Sequence, residues 1–214
     1  MSRVAVLGSG MVGEVLAEGF LKHGHEVIRA SRDPSKLASW KEKTPGAKTG
    51  RLFEAVAWAE IVVLAVKGSA AEAVIDAAGP QNLARKTVID TTNPIADAAP
   101  RNGVLSFFTS FDESLMERLQ KRAPDARFVK AFSCVGNAFM VNPKFPGGPP
   151  TMFICGESAG AKAEVKAILD QFGWETADMG AIEAARAIEP LCILWCIPAL
   201  AGGGSTHAFK MLRA

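Results

Sequence analysis

The sequence predicts an α/β fold: a doubly wound, mostly parallel sheet with a short helical C-terminal extension. Three observations carry this expectation. Residues 1–36 read as strand, glycine turn, helix and second strand. Strands and helices then keep alternating to about residue 178, and Ile61 to Val66 is a continuous apolar run of the kind buried on both faces of a parallel sheet. Beyond that, Ala181 to Ala214 is strongly apolar and reads as helix broken at Pro198 to Gly204.

The first strand, Arg3 to Leu7, runs into Gly8-Ser9-Gly10-Met11-Val12-Gly13, a G-x-G-x-x-G turn opening an amphipathic helix. In that context Gly8 allows the tight turn, Gly10 lets the backbone approach a pyrophosphate, and Gly13 lets the helix pack closely on the strand. The helix N-terminus offers unpaired N–H groups to phosphates, so the turn predicts a Rossmann-type dinucleotide site. The second strand, Glu26 to Ala30, ends in Ser31-Arg32, with Lys36 one helical turn further on. An NAD site places a carboxylate there; a hydroxyl and two cations suit the 2′-phosphate of NADP(H). Asp33 does not contradict this, because Asp33-Pro34 reads as an N-cap followed by proline at the first helical position.

Further elements follow in order. Residues 51–59 are helical, and Lys67-Gly68-Ser69 turns into a helix over Ala70 to Ala78. Lys86 to Asp90 is a strand ending in Asp90-Thr91-Thr92-Asn93-Pro94. Ser110 to Glu113 has capping-box spacing ahead of a helix over Leu115 to Arg122. Arg127 to Phe132 is a strand followed by Ser133 to Asn137, and residues 142–150 form a proline- and glycine-rich loop. Thr151 to Cys155, Ala159 to Phe172 and Trp174 to Asp178 add a last β-α-β unit. We place the NADP-binding domain at residues 1–180. A small helical part at 181–214 would contribute the substrate cleft and dimer contact, because a helix apolar all round needs covering.

Composition narrows the function. The 214 residues are 49% hydrophobic and 21% charged, enough to bury a sizeable core. A net charge of +2 spread through the chain gives no basic stripe for nucleic acid. No secretory pattern opens the chain, and no apolar run reaches the roughly 18 residues of a membrane span. We therefore expect a cytoplasmic protein without membrane or nucleic-acid partners. Cys134, Cys155, Cys192 and Cys196 include no C-x-x-C pair and read as buried thiols, and no structural metal is expected.

In an open α/β sheet, ligands bind outside the carboxyl ends of the strands. The loops there are Gly8–Gly13, Ser31–Lys36, Val66–Ser69, Thr91–Pro94 and Ser133–Asn137. Candidate cofactor contacts are thus Gly8, Ser9, Gly10, Met11, Val12, Gly13, Ser31, Arg32, Lys36, Val66, Lys67, Ala70, Asn93, Pro94 and Asn137. No proton-transfer residue stands out; Asn93, Ser133, Asn137 and His207 are the weak catalytic candidates. His23 and His25 lie at the wrong edge of the sheet and read as surface residues. The chain contains no tyrosine, which excludes a Tyr-x-x-x-Lys reductase mechanism. Hydride transfer to a ring acceptor needs chiefly alignment of two faces in a dry cleft.

The chain resembles the NADP-dependent oxidoreductases typified by coenzyme-F420:NADP oxidoreductase. The carriers are Val4 to Gly10 with Met11-Val12-Gly13, Ser31-Arg32-Asp33, and Asp90-Thr91-Thr92-Asn93-Pro94. Val129 to Ser133 with Gly136-Asn137, and Glu189-Pro190-Leu191 followed by Trp195, extend the likeness nearly end to end. The resemblance implies a homodimer exchanging hydride between NADPH and C5 of a deazaflavin. It also implies that Ser9 to Val12 hold the pyrophosphate, Ser31, Arg32 and Lys36 the 2′-phosphate, and Val66, Ala70, Asn93 and Asn137 the rest of the cofactor. Members from deazaflavin-using organisms tend to carry histidine where Ser133 stands. The same unit resembles the NADPH domain of membrane ferric reductases, so a flavin-like acceptor stays open beside F420. An NADPH-dependent imine or carbonyl reductase and a non-catalytic NADP(H)-sensing protein are the alternatives.

Overall fold

The computed structural model describes all 214 residues. Its main sheet has six parallel strands: β1 (Arg3–Leu7), β2 (Glu26–Ala30), β3 (Lys48–Gly50), β4 (Ile61–Leu64), β5 (Thr87–Asp90) and β6 (Arg127–Lys130). Their order across the sheet is β3-β2-β1-β4-β5-β6. Connections run one way from β1 to β3 and the other way from β4 to β6, so the strand order switches between β1 and β4 and opens a crevice at their carboxyl ends.

Helices cover both faces. Side chains alternate across a strand, so Ala5 and Leu7 of β1 join one core while Val4 and Val6 join the other. The first core packs α3 (Leu52–Trp58), α4 (Gly68–Ala78) and α5 (Leu115–Arg122) on the sheet; the second packs α1 (Met11–Lys22) and α6 (Ala159–Gln171). Each fully buried Val, Leu or Ile contributes about 1.5–3 kcal/mol. Two-faced burial explains why Val4 to Leu7 and Ile61 to Leu64 read as unbroken apolar runs. A short helix α2 (Ala38–Lys43) brings Trp40 into the second core.

The last β-α-β unit is present, with β7 (Thr151–Ile154) and β8 (Glu175–Asp178) parallel, but it forms its own two-stranded sheet. A single antiparallel bridge between Lys130 and Cys155 joins it to β6. The strand expected through Phe132 stops at Lys130, because buried Phe132 adopts φ +60° and turns the chain out of the sheet. The three-residue β3 was missed; it is too short to show a period.

Several expectations are corrected. The capping box of α5 is Ser114 with Glu117, not Ser110 with Glu113. The Ser110 hydroxyl instead accepts from Asp112 N in a turn, and Glu113 pairs with Arg118 and Lys121. The C-terminal segment is only partly helical. After α7 (Ala185–Ile188) and α8 (Leu191–Leu200) the chain leaves helix, with Gly202 and Gly204 at φ +86° and +83°. Pro198 does not break α8; it sits in the last turn, where a missing N–H forfeits one bond. Near its end the chain meets the start of β7, with Thr151 N donating to Phe209 O and Met211 N to Thr151 Oγ1. His25 is also no surface residue. It is buried, with Nε2 at 3.2 Å from Gln171 Oε1 and its ring edge-on to Phe20.

Arg186 of α7 binds Glu117 through two nitrogens, at 3.0 and 2.6 Å, while Ser114 N and Oγ donate to the same carboxylate at 2.7 and 2.8 Å. The Arg186 guanidinium, with Ser114 behind it, outweighs burial and holds the Glu117 carboxyl down to about 2. A depressed carboxylate stabilises the fold above its ordinary value and loses that contribution as pH falls through its folded value. Glu117→Gln should therefore cost about 1–3 kcal/mol at neutral pH. Thermal denaturation from pH 7 to pH 2 should show a flatter acid limb in the variant.

Candidate functional site

The crevice at the switch point is a cleft of about 750 Å³, within the ~300–1,000 Å³ usual for small-molecule and cofactor sites. Its floor is the glycine turn. Gly8 has φ +148°, and a Cβ there would collide with the Ala65 carbonyl, so the turn accepts no side chain at this point. A Cβ on Gly13 would lie 2.9 Å from the Gly8 carbonyl oxygen, which is the close helix–strand packing expected of it. Gly13 thus supports the cleft without lining it. Gly10 differs: nothing lies within 4 Å of its Cβ position, which faces open space. The backbone N–H groups of Ser9, Gly10, Met11, Val12 and Gly13 donate to no acceptor in the chain. Unpaired donors at a helix N-terminus form an anion site.

The end of β2 supplies one wall, with Ser31, Arg32, Asp33 and Lys36 all lining the cleft. Asp33 caps the following turn, its Oδ1 accepting from Ser35 N at 3.1 Å and Ser35 Oγ at 2.6 Å. Those bonds hold its carboxyl below the usual range. Arg32 and Lys36, both exposed, form no ion pair. The wall therefore presents two cations beside a hydroxyl, while its one carboxylate is engaged by backbone and serine.

Val66, Lys67 and Ala70 line the opposite side, where α4 begins. Helix α4 starts at Gly68, two residues earlier than expected, and only glycine fits there: a Cβ would collide with the Asn93 carbonyl. That contact fixes the Asn93 loop. Asn93 Nδ2 donates to Ser133 O at 2.7 Å, and its Oδ1 is buried with no donor. A buried acceptor left open toward a cleft suits an amide N–H from a ligand. The donor row, the open space over Gly10, the free cations and this orphaned oxygen together fit a phosphorylated dinucleotide.

Beneath the Asn93 loop lies a buried ionic network that sequence reasoning did not identify. Lys130 Nζ sits 2.6 Å from Asp90 Oδ2 and 2.8 Å from Glu189 Oε1, and donates to Thr92 O at 2.9 Å. Asp90 Oδ1 accepts from Thr92 N and Oγ1; Glu189 accepts from Leu115 N and Met116 N at the start of α5. Burial alone would depress the Lys130 ammonium, but the two carboxylates outweigh it and raise its pKa. The available signal was Lys130 itself, a cation following Phe128 and Val129 in a strand; buried there it needs a partner, and the register sets Asp90 beside it.

Other sequence candidates fall outside the cleft lining. Pro94 is buried behind it, and Ser133 contributes its carbonyl to Asn93 while its own Oγ is buried and unpaired. Asn137 opens a 3₁₀ turn beyond Gly136. His207 is held by Trp195: the rings stack at 5.0 Å, Trp195 Nε1 donates to His207 O, and His207 Nε2 lies 3.0 Å from Trp195 O. That engagement leaves it poorly placed as an acid. Conversely, Leu52, Val74, Ile95, Ala96 and Asp97 line the cleft and were not singled out, while Thr91 lines it as part of the expected Thr91–Pro94 loop. Burial pushes the Cys134 and Cys155 thiols up to about 12, which keeps both protonated and inert at neutral pH.

The parallel sheet and its phosphate turn define a dinucleotide-binding α/β protein. More narrowly, the chain belongs to the family described as NADP oxidoreductase, coenzyme F420-dependent, whose model matches residues 3–94. A candidate F420-dependent NADP reductase of Arthrobacter sp. FB24 shares 32% identity and superposes with a TM-score of 0.93, each chain covered completely. A reductive aminase from Aspergillus terreus, solved with NADPH and ethyl levulinate, has a TM-score of 0.67 at 20% identity, covering 95% of this chain and 63% of its own; it shows shared fold alone. Among curated proteins, the metalloreductase STEAP3 of Rattus norvegicus is 28% identical over 99% of this chain. The chain spans only 42% of that relative's length. No helix is long and apolar enough to cross a membrane.

Proposed function

We propose that this protein transfers hydride between NADPH and a flat flavin-like or deazaflavin acceptor, as an NADP(H)-dependent oxidoreductase of its family. One observation carries the choice of cofactor: Arg32 and Lys36 stand unpaired at the end of β2, and the neighbouring Asp33 is occupied. When bound, NADPH supplies a hydride from its nicotinamide ring. The residues of the chain do the holding. The N–H groups of Ser9 to Val12 receive the pyrophosphate, and Ser31, Arg32 and Lys36 the 2′-phosphate. Asn93, its Nδ2 fixed by Ser133 O, would offer its free Oδ1 as an acceptor to the nicotinamide end of the cofactor. Ile95 and Ala96 add apolar side chains to that end of the cleft. A ring acceptor takes hydride without a strong acid, in keeping with the engagement of His207 by Trp195. The likeness to a metalloreductase favours an electron-accepting co-substrate. The apolar α8, whose Leu194 is 55% exposed, supports a homodimer covering that face.

The reaction is tested by following NADPH oxidation at 340 nm with F420 and with free flavin; oxidation by neither overturns the proposed acceptor class. Arg32→Ala tests the cofactor. NADP⁺ binding should weaken by about 1.5–3 kcal/mol, the loss of a charged hydrogen bond, with NAD⁺ affinity almost unchanged in calorimetry. Equal losses for the two would make Arg32 structural.

A further inference from the structure

Arg29 interrupts the apolar pattern of β2. It is 1% exposed, on the strand face that otherwise carries Val27 into the second core. A buried guanidinium persists only where its donors are satisfied, and here all its bonds go to one place. Nε donates to Gly8 O at 3.3 Å, Nη2 to Gly10 O at 2.8 Å, and Nη1 pairs with Glu14 in the first turn of α1 at 3.1 Å. The guanidinium lies 5.0 Å from the ring centroid of Trp40, on the helix following the Ser31–Lys36 wall.

We infer that Arg29 is the positioning residue of the phosphate turn, an inference resting on the dinucleotide reading of this cleft. The turn has two kinds of backbone group, and an anion tolerates only one. Carbonyls facing a pyrophosphate repel it; N–H groups attract it. Arg29 binds the Gly8 and Gly10 carbonyls, the latter also accepting from Glu14 N in the first turn of α1, and the peptide planes then turn the N–H groups of Ser9 and Met11 away from those carbonyls, where no acceptor in the chain meets them. Planarity of the peptide makes this sorting obligatory: fixing a carbonyl fixes the next residue's N–H on the opposite side. The planar fork reaches both carbonyls at once, which a lysine cannot do. Arg29 also sets a positive charge behind a helix N-terminus already positive, an arrangement only partly offset by Glu14 and complemented by a bound anion. The Trp40 stack ties this clamp to the segment carrying Arg32 and Lys36.

The test compares two ligands by calorimetry, NADP⁺ and adenosine 2′-monophosphate, which has the 2′-phosphate but no pyrophosphate. In Arg29→Met, NADP⁺ should bind roughly 10- to 100-fold more weakly, while the monophosphate changes less than about twofold. Where an acceptor supports turnover, KM for NADPH should rise with kcat nearly constant. Arg29→Lys keeps the charge and the packing stem but loses the fork; it carries the same test if the methionine variant does not fold, with about a tenfold loss confined to NADP⁺. Equal weakening of both ligands would make Arg29 a general structural residue and overturn the inference, as would unchanged NADP⁺ binding. A native protein that binds neither ligand overturns the reading of the cleft itself and the role of Arg29 with it.

Discussion

Lys130→Met should destabilise the fold by about 3–5 kcal/mol, the cost of leaving buried charge without its partner. Asp90 and Glu189 are 0% and 2% exposed, and in the variant nothing cationic would stand between them. Glu189 would keep two backbone donors from α5 and Asp90 the Thr92 donors, which is too little for two desolvated carboxylates. Urea denaturation at neutral pH reads the deficit. A change below about 1 kcal/mol would mean that the network is not ionised as drawn. Adding Asp90→Asn and Glu189→Gln should restore part of the loss, since replacing a whole buried ionic set costs far less than breaking it.

The same network shows where sequence reading stops. Strands β1 and β4 were legible because two-faced burial writes continuous apolar runs, β2 because it closes the strand–turn–helix–strand unit, and the phosphate turn because its glycines answer local steric demands at Gly8 and Gly13. The occupation of Asp33 was legible too, since an N-cap is a contact between near neighbours in sequence. Contacts distant in sequence were not. Glu189 reaches Leu115 across 74 residues, and no local pattern ties a glutamate before a proline to another helix's first turn. Arg29 and Lys130 carried a weaker signal, a charge that follows apolar residues within a buried strand, which marks a buried partner without naming it. The C-terminal helix was overextended past Leu200 because apolar composition alone does not distinguish a helix from a chain that meets the start of β7. Residues 93–113, folded back by the Ile95–Phe107 bridge, brought Ile95, Ala96 and Asp97 to the cleft without any periodic signal.

Gly10→Val should leave a folded protein that no longer binds NADP⁺, a loss of at least ~100-fold, or about 2.8 kcal/mol. Two glycines of one turn here answer to different demands. At Gly10 the backbone has φ −84° and ψ 177°, an extended conformation that valine adopts readily, and its Cβ would meet nothing within 4 Å. The added side chain is free to stand in the cleft, over the N–H groups of Ser9 to Val12, where it bars an anion from approaching. Gly8→Ala supplies the contrast. Its φ of +148° and the Ala65 carbonyl against its Cβ position make any side chain a defect of the empty protein. The expected pair of results is a nearly native melting temperature with no calorimetric heat for Gly10→Val, and a lowered melting temperature for Gly8→Ala. If Gly10→Val melts as low as Gly8→Ala, the space over Gly10 is needed for folding and is not the seat of the phosphates. If it binds NADP⁺ normally, the pyrophosphate lies elsewhere, and the unpaired N–H row has another purpose.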